Sequence, residues 1–145
     1  MLMIEPIQCE PTSAAKRRED AVELIFPGGI FGFESSKRFR LATPEDTHPF
    51  VWLEGQDGDR HSFLAIPAQE VLKNYTIELS DEDVAAIGLT SPEEAAILNL
   101  AIYHPEGFVT ANLKGPLIYN RDTLIARQVV PKNAADLPVA ARLSP

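Results

Sequence analysis

The side chains with the most chemistry to offer are three histidines, one cysteine and a run of carboxylates. His48, His61, His104 and Cys9 lie too far apart for a local metal motif, whose ligands recur only a few positions from one another. His48 precedes Pro49, His61 opens an apolar run and His104 sits in a Pro/Gly turn, so each reads as a structural or surface histidine. There is no Gly-x-Ser-x-Gly elbow, no phosphate loop ending in Lys-Ser/Thr and no dinucleotide fingerprint. The glycine-rich stretch Pro27-Gly28-Gly29-Ile30-Phe31-Gly32 reads as a turn. Its glycines tolerate positive φ, and Ile30, Phe31 and Phe33 either pack into the core or form an exposed contact site. Neither a cofactor nor a metal is expected.

The carboxylates are more suggestive. Between positions 78 and 94 stand Glu78, Asp81, Glu82, Asp83, Glu93 and Glu94, with no Lys or Arg among them, so little local compensation is expected. Two readings compete: a solvated face, since helix starts recruit carboxylates, or an attractive surface for a basic partner. General acid catalysis by a carboxylate pair would need a pocket, which a sequence does not display. Thirteen Lys and Arg against 21 Asp and Glu give a net charge of −8, the wrong sign for gripping phosphates directly. Residues 114–145 hold five basic and two acidic side chains, so the acidity is concentrated before them. An acidic body of this kind suits a basic protein rather than nucleic acid.

The elements that must position these groups are short. Val22–Phe26 ends at Pro27-Gly28-Gly29 and reads as a strand and turn. Phe50–Glu54 and His61–Ile66 flank a Gly/Asp-rich turn, a hairpin pattern closed by Pro67. Tyr75–Leu79 alternates apolar and polar, with Glu78 on its polar face. Ser80 followed by three carboxylates predicts a short helix through Ile87, ended by Gly88, and Ser91-Pro92-Glu93-Glu94 predicts a second. Ala96–Tyr103 and Phe108–Leu113 flank His104-Pro105-Glu106-Gly107, the strongest hairpin signal, and Leu117–Tyr119 with Leu124–Val130 makes another. Short strands separated by turns, with no long helix between them, predict a mainly β protein: one antiparallel, barrel-like domain with a few short helices.

The organisation expected is a mobile leader over residues 1–20, a β domain over 21–131 and a tail over 132–145. No apolar run approaches the ~20 residues of a membrane span, and Glu5 and Pro6 interrupt any signal-peptide core. A lone cysteine fits a reducing compartment, so the expected location is the cytoplasm, with no membrane partner.

Several segments carry a family resemblance. Phe26-Pro27-Gly28-Gly29-Ile30-Phe31-Gly32-Phe33-Glu34 resembles the early Gly-Ile/Leu-Pro-Gly-Phe-Glu signature of the flagellar assembly factor FliW. Thr110-Ala111-Asn112-Leu113-Lys114-Gly115-Pro116-Leu117-Ile118-Tyr119-Asn120 resembles that family's later Thr-x-Asn-Leu-x-Ala-Pro-Ile segment. Phe63–Pro67 followed by Tyr75 is similar to its strand-Pro and Tyr elements, and Arg127-Gln128-Val129-Val130 to its closing Gln-Val strand. The similarity runs from about Val22 to Val130. Phe31 stands where the family commonly has proline, Gly115 where alanine is usual, and the leader is longer than is typical.

The resemblance implies a non-enzymatic protein that binds the translational regulator CsrA, antagonises its repression of flagellin synthesis, and takes flagellin as the alternative partner. Candidate partner-binding residues are Phe33 and Glu34 in the first signature, Asn112 in the second, and Glu78, Asp81, Glu82 and Asp83 in the acidic stretch. The competing expectation is a small ligand-binding or hydrolytic barrel. A deep pocket enclosing His61 or His104 beside a carboxylate would mark it.

Overall fold

The computed structural model describes residues 2–4, 22–71 and 76–143. Strands follow one another through most of it: β1 (Leu2–Ile4), β2 (Val22–Ile25), β3 (Arg38–Ala42), β4 (Val51–Gly55), β5 (Ser62–Pro67) and β6 (Ile77–Leu79). After the α-helix α1 (Asp81–Ala86) come β7 (Ala95–Tyr103), β8 (Val109–Ala111), β9 (Leu117–Asn120), β10 (Ala126–Gln128) and β11 (Ala141–Arg142). The fold is mainly antiparallel β, as expected.

The main sheet runs in the order β2-β3-β4-β5-β7-β9-β10, each neighbour antiparallel to the next. Its two ends meet through a single parallel bridge, Ile25 with Ile125, where the Ile25 N–H donates to the Leu124 carbonyl at 3.0 Å. The sheet is therefore curled and barrel-like, joined at its seam by one rung instead of a continuous ladder.

Side-chain alternation divides the apolar residues into two clusters. Leu24, Phe26, Phe39, Leu53, Leu98 and Leu117 fill the inside of the curl, with Phe26 and Phe39 edge to face at 5.4 Å. On the outer face Ile66, Ile97 and Ile118 are covered by Ile77, Leu79 and Ile87 from the β6–α1 region. β7 reads as a nearly unbroken apolar run for this reason: Ile97 serves one cluster and Leu98 the other.

Strand β3 had no counterpart among the expected elements. Phe39 and Leu41 are buried between exposed Arg38 and Arg40, so the alternation was present, but the arginines broke the apolar run. The hairpins expected around His104–Gly107 and Asn120–Thr123 form, the second with Asn120 still inside β9; in the first, the His104 N–H donates to the Phe108 carbonyl at 2.8 Å. Ser91–Glu94 makes one 3-10 turn with a capping box, not an α-helix. Within the segment read as a leader, β1 pairs with β6; the rest of that segment, and Tyr75, lie outside the described residues. In the tail, β11 pairs with β8, and Arg142 covers the Phe108 ring at 4.1 Å from its centroid.

Candidate interaction groove

The loop after β2 is shaped from within. Phe26 and Ile30 are buried in the inner cluster, while the chain between them turns through Gly29 at φ +73°, where the Gly29 N–H donates to the Phe26 carbonyl at 2.9 Å. A side chain at Gly29 would meet the Glu34 backbone, its Cβ lying 2.6 Å from Glu34 Cα. Beyond it, the Glu34 carboxylate accepts the Gly32 N–H at 3.0 Å. That bond, followed by one from the Glu34 backbone, holds the Glu34 carboxyl below the usual glutamate range against a small opposing effect of desolvation.

Gln128 ties this loop to the second signature. Its buried carboxamide accepts the Phe31 N–H at 2.8 Å and donates to the Gly115 carbonyl at 2.9 Å. The 112–115 turn is in turn held by Asn112, whose Oδ1 accepts from the Lys114 and Gly115 N–H groups at 2.9 and 3.1 Å. Gly115 leaves room for the contact: a Cβ there would lie 3.0 Å from Gln128 Nε2.

Across from the loop lies α1. The Ser80 hydroxyl caps it, accepting the Asp83 N–H at 3.1 Å. Arg127 on β10 reaches α1 with its Nε 2.9 Å from Asp83 Oδ1 and its Nη2 3.4 Å from Glu82 Oε2. The Asp83 side chain is only 11% exposed and Glu82 is 82% exposed. Water screens the Glu82 contact strongly, so the Asp83 contact carries most of the attraction. Loop, helix and β10 enclose an open groove of about 490 Å³. Phe31 (53% exposed) and Val130 (61% exposed) supply its apolar surface.

Of the residues singled out from the sequence, Glu82 and Asp83 line this groove. Asp81 is exposed on the same helix outside the lining, and Glu78 is half-buried on β6, where its carbonyl accepts the Lys132 N–H at 2.9 Å. Phe33 turns away to pack edge-on against His61 and Phe63, at 4.8 and 5.0 Å between centroids. Glu34 folds back on Gly32, and the Asn112 carboxamide oxygen is engaged in its own turn. Sequence reasoning missed Arg127, Gln128 and Val130 as groove residues and took Phe31 only as one of several apolar side chains of the loop. The stretch has no cation of its own, as the sequence shows, and its compensation comes from Arg127 on a distant strand that no local window around residues 78–94 contains.

A family model described as FliW protein matches residues 8–143. The chain belongs to the FliW family. The flagellar assembly factor FliW of Geotalea uraniireducens is 38% identical over 113 residues, spanning 77% of this chain and 69% of the relative. That of Leptospira interrogans serovar copenhageni is 30% identical over 129 residues, spanning 88% and 85%. A crystal structure of the flagellar assembly factor FliW superposes with a TM-score of 0.77 at 25% identity, covering 96% of this chain and 91% of that one. The family match extends beyond the Val22–Val130 span of the motif resemblance at both ends.

Neither His61 nor His104 lines the groove of this FliW-family protein. His104 stacks on Phe108 at 4.4 Å with its Nε2 3.0 Å from the Thr110 hydroxyl, and His61 leans on Phe33. Among the described residues no group of three or more His, Cys, Asp and Glu side chains is placed to hold a metal ion. No helix among them is long and apolar enough to cross a membrane.

Proposed function

We propose that this protein is a cytoplasmic, non-catalytic flagellar assembly factor that binds CsrA through the groove and antagonises its repression of flagellin synthesis, with flagellin as the alternative partner. The observation that carries this reading is the placement of Glu82 and Asp83 with exposed Phe31 and Val130 in one groove, enclosed by the first signature loop, α1 and β10. A regulator that grips RNA presents cationic surface, and an acidic protein is drawn to it without touching RNA. The apolar side chains then supply contact area that outlasts the encounter.

Calorimetric titration of CsrA into the wild type and into a Glu78→Lys, Asp81→Lys, Glu82→Lys variant tests this. Asp83 is left in place because its pairing with Arg127 is largely buried. The variant should remain folded, as its amide spectrum would show, and lose at least about tenfold in affinity at moderate salt. Unchanged affinity in a folded variant would remove the acidic surface from the interface. Purified flagellin should displace CsrA from the wild type.

A further inference from the structure

Among the described residues, the seam of the curled sheet leaves one strand edge without a partner strand. In the β9–β10 pair, the Asn120 N–H donates to the Ile125 carbonyl at 3.0 Å and the Val129 N–H to the Pro116 carbonyl at 3.0 Å. In an antiparallel ladder the odd-numbered residues 125, 127 and 129 therefore turn their backbone groups toward β9, and 126, 128 and 130 turn theirs away. On that far side β2 begins a parallel ladder at the Ile25–Ile125 bridge. The next rung would need an N–H from residue 27 for the Ala126 carbonyl. Residue 27 is proline, which has none, and the chain departs through Gly28 and Gly29. Among the described residues β10 has no strand beyond Ile125 on this edge. The groove opens along it, lined by Ala126 through Val130 on one side and by Pro27 through Gly29 on the other. A Cβ placed on Gly28 would meet nothing within 4 Å.

From this geometry we infer that the β10 edge is a strand-docking slot, taking an extended polypeptide segment of a protein partner with basic side chains at alternate positions. The segment would pair with the Ala126 carbonyl and with the backbone groups of Gln128 and Val130. Charge selects the occupant: side chains of an added strand on the same face as Arg127 lie beside α1, where the Glu82 carboxylate is exposed and only loosely held. Those on the other face point toward Phe31 and favour apolar residues. The inference rests on the proposed use of this groove for a protein partner and adds the mode of binding.

The probe is the blocked heptapeptide Val-Lys-Val-Lys-Val-Lys-Val, titrated into the full isotope-labelled chain with amide shifts as the readout. Two N-methylated isomers accompany it, one methylated on its last three valine amides and one on its three lysine amides. Successive N–H groups of a strand point in opposite directions, so one isomer should bind like the parent while the other loses at least about tenfold. The Gln128 and Val130 amides should shift with the parent peptide, and Glu82→Lys should weaken it. Unmoved Gln128 and Val130 signals, or equal behaviour of the two isomers whether both bind or both fail, overturn the slot. CsrA is titrated in parallel. If CsrA binds while those amides stay still with either ligand, the slot falls and the proposed function stands. If the peptide docks as described and CsrA does not bind, the slot stands and the CsrA reading falls.

Discussion

The loop from Pro27 to Glu34 and the helix α1 face each other across the groove and are held by opposite means. The loop hangs from Phe26 and Ile30, both buried in the inner cluster, and from the buried Gln128 carboxamide. The helix is six residues long, far too short to persist alone, and depends on a Ser80 cap, the packing of its neighbours and the Arg127 ion pairs. Shape on one wall is thus set by core packing, while charge on the other is set by groups at the surface. Such an arrangement allows the charge to vary without remaking the fold.

If that contrast holds, damage to the loop wall should register mainly as lost stability. Phe26→Ala removes a fully buried ring from the inner cluster and its edge contact with Phe39, and should cost about 3–5 kcal/mol in urea unfolding. A loss under about 1 kcal/mol would show that the loop is not anchored there. Gln128→Ala comes next, at about 1–3 kcal/mol, because it strands the Phe31 N–H and the Gly115 carbonyl together. Its diagnostic is local: amide exchange at Phe31 should speed up more than exchange at Phe39, which stays in β3.

How legible each wall was in the sequence follows the same division. The strands and turns announced themselves wherever apolar runs stopped at Pro or Gly, as at Pro27 and around His104–Gly107. β3 escaped because Arg38 and Arg40 interrupt it, although its period of two was intact. The helix start was readable from Ser80 and the carboxylates after it, since capping is a local matter. Arg127 and Gln128 were not readable as groove residues: Asp83 and Phe31 lie far away in the chain and meet them only when the sheet curls, and Gly115 meets Gln128 across the β9–β10 hairpin. Phe33 and Phe31 have the same local chemistry, and only the direction of the turn sends one onto His61 and the other into the groove.

Damage to the helix wall should be smaller and should answer to salt. Arg127→Gln leaves Asp83 without its cation and should cost about 0.5–1 kcal/mol, discounted because the guanidinium is partly exposed to water. Raising the salt to about 1 M, where the Debye length falls to about 3 Å, should shrink that cost while leaving the Gln128→Ala cost nearly unchanged. Equal salt responses in the two variants would erase the distinction between the walls.

The smallest expected effect tests the loop by proton instead of by salt. Glu34 titrates below the ordinary glutamate range because the Gly32 N–H, and then its own backbone N–H, bind the charged form. A carboxyl with a lower pKa folded than unfolded adds stability that is fully present above the unfolded value and is lost as pH falls through the folded one. Carboxyl-detected titration should therefore place Glu34 below a free glutamate, with the Gly32 amide signal following the same curve. Glu34→Gln should flatten that part of the acid unfolding profile and leave the neutral-pH groove intact. A Glu34 midpoint at or above the free value would mean that the carboxylate does not close onto Gly32, and the loop wall would then owe its shape to Phe26, Ile30 and Gln128 alone.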